Sequence, residues 1–185
     1  SVLVRAHDPD LDPEVLKDIV RGYEDVCAAC IARYEGYLFQ RLGDGIVAFF
    51  GFPLAHEREA ERAIRAGLDI IDAMTRFKAP EGAKLEVRIG IATGIVVVSA
   101  DGRTAVSETM NLAARLQSVA EPGAVVVSSK VRKLAGNVFD YEDMGAHSLK
   151  GITLPVHLHH VLGRAAAESR HIRDKPLIGR GAEMA

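Results

Sequence analysis

Apolar residues at Leu16, Ile19, Tyr23, Val26 and Cys30 recur every three or four positions, the period of one buried helix face. Asp12-Pro13 ahead of them supplies an N-cap and a proline at the first helical position, and Gly36 ends the segment. A second helix is predicted from His56 to about Lys78, with Ala60, Ile64, Gly67, Ile71 and Met74 facing inward. Between the two helices the period changes. Tyr37 to Arg41 and Ile46 to Phe50 read as strands around a Gly43-Asp44-Gly45 tip, and Asp-Gly between such runs signals a hairpin turn. Gly51-Phe52-Pro53 breaks the second strand.

Leu85 to Val98 is apolar with little alternation and is expected to be a central strand buried on both faces. Ser1 to Val4 reads as a short strand, and Thr109 to about Val119 as a helix stopped by Pro122-Gly123. Ala124 to Val127 is strand-like, and Ser128 caps a short helix to Leu134. Phe139 to Met144 and Val156 to Leu162 read as two closing strands. This order predicts an α+β fold, an α/β sandwich. Its core is a ferredoxin-like βαββαβ unit with extra C-terminal strands, an antiparallel-rich sheet covered by helices. Residues 1–163 make the domain. The polar stretch 164–185, around Pro176-Leu177-Ile178-Gly179-Arg180, reads as a linker toward a further module.

Composition narrows the function classes. With 185 residues, 48% hydrophobic and 26% charged, the chain is long enough for one domain with a real core. A net charge of −2 without long single-sign runs argues against a nucleic-acid partner bound through phosphate contacts. No apolar run approaches the roughly 18 residues of a membrane helix, and the start has no signal-peptide pattern, so no membrane partner is expected. Cys27 and Cys30 are the only cysteines. They fall in the first helical segment without a second pair to complete a four-ligand zinc site. They read as core-packing thiols of a cytoplasmic protein.

Candidate chemistry clusters in a few segments. Asp44 offers a carboxylate at the hairpin tip, which alone is also an ordinary solvated turn. Arg88 precedes Gly90 and Gly94, which permit close backbone approach. Asn111 and Arg115 stand at i and i+4 on one helix face, both donors suited to oxygens that gain negative charge. Arg115 alone also suits a surface pair with Glu108 or Glu121, and Lys150, in Leu149-Lys150-Gly151, suits a solvated surface. Thr104 lies upstream of the Asn111 helix.

Taken together and in order, several motifs resemble the class III adenylyl/guanylyl cyclase catalytic domain. They are the Gly-Asp-Gly hairpin, Phe52-Pro53-Leu54-Ala55-His56-Glu57, the helix Ala60-Glu61-Arg62-Ala63-Ile64-Arg65-Ala66-Gly67 and Arg88-Ile89-Gly90-Ile91-Ala92-Thr93-Gly94. Asn111-Leu112-Ala113-Ala114-Arg115, Ala120-Glu121-Pro122-Gly123 and Leu149-Lys150-Gly151 complete the set. The likeness spans about Asp12 to Gly163, and the Pro-Leu-Ile-Gly-Arg tail looks like the lead-in to an ATPase module. The resemblance implies attack of a nucleoside triphosphate's 3′-hydroxyl on its own α-phosphate, giving a 3′,5′-cyclic nucleotide and pyrophosphate. It implies Asp44 as a ligand of Mg²⁺ or Mn²⁺, Asn111 as the ribose-orienting group and Arg115 as the stabiliser of the transition state. It further implies Arg88 and Lys150 on the β- and γ-phosphates, and Gln40 and Thr104 near the purine. A homodimer with active sites at its interface follows, because the family assembles each site from two subunits.

Four features depart from the family pattern. The opening strand lacks an Asp-x-x-Gly signature, and Asp8 and Asp10 stand too near the first helix to replace its metal-binding aspartate. Val98 to Thr104 is shorter than the family's arm. Gln40 stands where adenylyl cyclases commonly have lysine and guanylyl cyclases glutamate, and Ser107 where a glycine is common. The Gln40 amide either donates or accepts, and Thr104 tilts the expectation toward ATP over GTP. The leading expectation is a metal-dependent adenylyl cyclase. The alternative is a non-catalytic cyclase homology domain that binds nucleotide, or dimerises, to regulate a downstream ATPase module.

Overall fold

Seven strands form one sheet in the order β2-β3-β1-β4-β7-β9-β8, and two more pair as a separate ribbon. The computed structural model describes residues 2–6, 12–43, 45–79, 85–100, 102 and 104–165. Asp44, Asp8, Asp10 and the expected linker beyond Ala165 lie outside the described residues. In chain order the elements are β1 (Val2–Ala6), α1 (Pro13–Arg33), β2 (Tyr37–Leu42), β3 (Gly45–Phe49), α2 (Glu59–Arg76) and β4 (Leu85–Ile91). The ribbon strands β5 (Val97–Val98) and β6 (Ala105–Val106) follow, then α3 (Glu108–Val119), β7 (Ala124–Ser128), α4 (Ser129–Ala135), β8 (Phe139–His147) and β9 (Val156–Arg164).

The β2-β3-β1-β4 portion is antiparallel throughout, with helices connecting β1 to β2 and β3 to β4. That is the ferredoxin-like core. One parallel ladder, β4 with β7, joins it to the antiparallel β7-β9-β8 extension. Consecutive side chains of β7 serve opposite faces. Val125 and Val127 pack with Ile19, Tyr23 and Cys27 of α1, Ile64 and Ile70 of α2 and Val131 of α4. Ala124 and Val126 pack with Leu116 and Ala120 of α3 and with Leu158. Helices α1, α2 and α4 therefore cover one face and α3 the other.

Local chemistry sets the boundaries. The Asp12 carboxylate accepts the Glu14 N–H at 2.7 Å and starts α1. Leu16 is exposed, and Val15, one position earlier, packs against the core in its place. Helix α2 starts at Glu59, because the Glu59 carboxylate takes the His56 N–H at 2.8 Å before the helix. The predicted strand from Leu85 to Val98 ends at Ile91 and reappears only as the ribbon strand β5. Where it leaves the sheet, Gly94 packs against Thr109 of α3: a Cβ there would lie 2.3 Å from Thr109 Oγ1. The segment Val97 to Val106 is a short hairpin, closed by the Ser99 N–H donating to Thr104 O at 2.8 Å.

Cys27 and Cys30 are buried free thiols in the larger core. Burial first, then the neighbouring Cys30 and Glu24, pushes Cys27 up to about 12. The thiolate is the reactive form. Native protein treated with iodoacetamide at mildly alkaline pH should therefore keep Cys27 unmodified, and denatured protein should react there. Mass spectrometry of peptides checks both states, and rapid native alkylation of Cys27 would contradict this packing.

Candidate active site

The β2–β3 hairpin is tied to α1 at two points. The Tyr23 hydroxyl donates to the Gly43 carbonyl oxygen at 3.1 Å, and Arg41 pairs with Glu24 at 3.1 Å. Gly43 has φ +58, which glycine adopts without steric cost. β2 and β3 register Leu42 opposite Gly45, with two residues of intervening chain between them. Asp44 itself is outside the described residues, while its neighbours on both sides are anchored.

A cleft of about 570 Å³ runs along β3 and the end of β4 to the first turns of α3. Gly45, Gly90, Gly94, Thr109 and Asn111 are among its walls. Helix α3 is held by its cap: the Ser107 hydroxyl accepts the Thr109 N–H at 2.9 Å and donates to Ile95 O at 2.6 Å. Ser107 has φ −169, extended backbone that any residue adopts, so the family's common glycine is not needed there. Gly90 is needed. A Cβ on it would stand 2.2 Å from Ala113 O and 2.4 Å from Gln117 N, so α3 lies directly on the β4 backbone.

Asn111 and Arg115 are both exposed on α3. Among the described residues neither side chain has a hydrogen-bond or ion-pair partner, so Arg115 is not consumed by Glu108 or Glu121. Arg88 is half-buried: Nη1 donates to Ala120 O, the C-cap of α3, at 3.1 Å, and Nη2 lies 3.3 Å from Glu86. Gln40 on β2, Thr104 at the end of the ribbon and Lys150 in the β8–β9 loop are exposed. One chain thus brings Asn111 to the cleft beside the strand that follows Asp44. Gln40, Arg88, Thr104, Arg115 and Lys150 stand outside its walls.

Residues 2–163 match the family model of the adenylate and guanylate cyclase catalytic domain. The chain belongs to that family. Among curated proteins, it is 33% identical to Rhizobium meliloti "Uncharacterized protein R02095" over 94% of this chain and 18% of that protein. It is 28% identical to Rhizobium meliloti Adenylate cyclase 1 over 82% of this chain and 24% of that protein. The chain therefore spans about a fifth of the length of these relatives. Among solved structures, the adenylyl cyclase CyaB from P. aeruginosa superposes with a TM-score of 0.79 at 26% identity, covering 89% of this chain and 93% of that one. The catalytic core of a rhodopsin-guanylyl cyclase of converted specificity, in complex with ATPαS, has a TM-score of 0.81 at 20% identity over 89% and 94%, a likeness of fold. As a cyclase domain, the chain keeps the family's fold around a cleft whose α3 wall presents the motif asparagine. Among the described residues, no helix is long and apolar enough to cross a membrane.

One cluster escaped the sequence reading. Asp143 on β8 and His157 and His159 on β9 bring their donor atoms within 4.8 Å of one another. The His-x-His spacing was the available signal, since alternate residues of a strand share a face.

Proposed function

We propose that this cyclase domain is a metal-dependent adenylyl cyclase that converts ATP to 3′,5′-cyclic AMP and pyrophosphate in the cytoplasm as a homodimer. The observation that carries the reading is the exposed Asn111–Arg115 pair on α3, unpartnered among the described residues and seated against β4. Free donors on a rigid helix suit a phosphoryl group whose charge grows during reaction. Asn111 orients the ribose. Arg115 presents a planar fork to the α-phosphate oxygens. Lys150 holds the outer phosphates. Arg88 joins Lys150 only by releasing its contact with Ala120 O or Glu86. Gln40 and Thr104 face the purine, and ATP is favoured over GTP on the likeness to Adenylate cyclase 1 and CyaB.

The donor set suits a hard cation. Cyclases of this family generally use divalent metals. Asp44 is the carboxylate at the tip, flanked by glycines without competing side chains. Mg²⁺ or Mn²⁺ takes one or two carboxylates together with phosphate oxygens. Bound there, the ion neutralises phosphate charge and makes the 3′-hydroxyl a better nucleophile.

A homodimer is supported by the apolar surface near the cleft. Ile95, Val97 and Val106 are 87%, 68% and 78% exposed on and beside the β5–β6 ribbon. Such a group of exposed aliphatic side chains fits a surface covered by a second copy. Val106→Asp should convert dimer to monomer in sedimentation velocity and abolish turnover while leaving the fold intact. A dimer that persists in Val106→Asp would remove the ribbon from the interface.

The deciding experiment is cyclic-nucleotide production from ATP and from GTP, with Mg²⁺ and with Mn²⁺, by the full-length protein. Cyclic AMP as the main product supports the proposal, and cyclic GMP alone overturns its specificity. No product from a folded dimer supports the second reading, a non-catalytic cyclase homology domain acting on an adjoining ATPase module. The specific observation in its favour is the opening segment, which carries no Asp-x-x-Gly motif.

A further inference from the structure

The β8–β9 hairpin carries chemistry that nucleotide cyclisation does not use. β8 is the edge strand at the end of the sheet away from β2, so this hairpin is remote in strand order from the one bearing Asp44. The register sets Asp143 opposite His159, and a bulge between Asp143 and Gly145 shifts the pairing so that His157 falls opposite Ala146. Gly145 has φ +77, and its N–H donates to the Asp143 carboxylate at 2.7 Å. This turns the carboxylate toward β9. His157 Nε2 then lies 2.5 Å from Asp143 Oδ1. His157 and His159 are neighbours with ring centroids 5.1 Å apart and planes tilted by 30°.

The His159 ring is oriented by a partner on α4. It is 5% exposed, and its Nε2 lies 3.0 Å from Ser129 Oγ at the start of α4. The Ser129 hydroxyl donates its single proton to His157 O at 3.2 Å. With that proton engaged, the Ser129 oxygen is available to accept from His159 Nε2–H, the tautomer that leaves Nδ1 with a free lone pair. A metal-binding histidine is oriented in this way, with its other ring nitrogen donating to a fixed acceptor.

We propose that Asp143, His157 and His159 form a binding site for a divalent transition-metal ion of the zinc class, bridging β8 and β9. Two imidazole nitrogens and one carboxylate oxygen are a familiar zinc donor set. Donors around a tetrahedral ion with bonds of about 2.1 Å stand about 3.4 Å apart, within reach of small rotamer changes from the observed cluster. The charge balance also selects the ion. Arg132, whose guanidinium sits 5.5 Å above the Tyr141 ring, itself 6.3 Å from the His159 ring, brings a positive charge near the single carboxylate. A hard ion held by charge alone gains little here, whereas a borderline ion gains from imidazole nitrogen. The ion would staple the pairing where the bulge interrupts it. The site does not depend on the cyclase reaction.

The test is zinc titration of the purified chain without nucleotide, by isothermal titration calorimetry. Cobalt substitution, followed by visible absorption, reports the coordination. One Zn²⁺ per chain is expected, undisturbed by excess Mg²⁺. His157→Gln and Asp143→Asn, both at exposed positions, should each weaken binding by at least about tenfold and remove the cobalt bands. His160→Gln, on the neighbouring position of β9 with its ring toward Glu142, should leave binding unchanged. Asp44→Asn should also retain zinc, which separates this site from the catalytic ion. Absence of binding, or binding equally strong in His157→Gln and Asp143→Asn, would show that the cluster is only a histidine–aspartate ion pair.

Discussion

Arg115→Ala should lower kcat for cyclic-nucleotide formation by about 10³-fold while changing KM little. The side chain is exposed and, among the described residues, makes no hydrogen bond or ion pair, so no folded-state contact is lost with it. The melting temperature should stay close to wild type. On the role proposed above, what disappears is a charged fork that would meet the α-phosphate oxygens most strongly when their charge is greatest. About 10³ in rate corresponds to about 4 kcal/mol of transition-state stabilisation, within the range that phosphoryl-transfer arginines supply. Arg115→Lys should recover only part of the loss, because an ammonium cannot reproduce bidentate geometry. Steady-state kinetics together with nucleotide-binding calorimetry separates the cases. A loss of binding as large as the loss of turnover would assign Arg115 to ground-state binding instead.

Gly90→Ala should be the most damaging single methyl group in the molecule. The added Cβ meets two backbone atoms of α3, Ala113 O at 2.2 Å and Gln117 N at 2.4 Å. Neither can rotate away, so the helix must lift from β4. Overpacking against fixed neighbours costs about 3 kcal/mol, which for a chain of this length lowers the melting temperature by about 6–12 °C. The displacement also reaches chemistry, since Asn111 and Arg115 ride on the same helix. A misplacement of about 1 Å can cost about 10²-fold in rate. Thermal denaturation by circular dichroism measures the first effect, and an assay below the lowered midpoint measures the second. A variant with wild-type melting and turnover would mean that α3 does not rest on Gly90.

Much of this protein is legible from local pattern. The helical period of Ile19, Tyr23 and Cys30, the Asp12-Pro13 start and the Gly43-Asp44 tip between apolar runs each depend on residues close in the chain. The family likeness rests on motifs of the same short range, and so do the i, i+4 relation of Asn111 and Arg115 and the cap at Ser107. These follow because helix period, strand alternation, caps and tight turns are decided by neighbouring residues.

Other properties needed contacts between distant segments. Apolar content alone ran Leu85 to Val98 together as one strand. The break after Ile91 depends on α3 packing, which brings Thr109 against Gly94. Arg88, expected on the outer phosphates, instead donates to Ala120 O, 32 residues away in the chain. Gly90 was legible as a site of close approach, but that its neighbour is the α3 backbone depended on the tertiary arrangement. The Asp143–His157–His159 cluster depends on a bulge that shifts strand register by one residue, and on a serine from α4 that fixes one ring. Sequence determined which elements form and which family they build, because those are local energies. Tertiary structure decided which donors are spent on the fold and which remain free to act, because that is settled by whatever packing brings within hydrogen-bond reach.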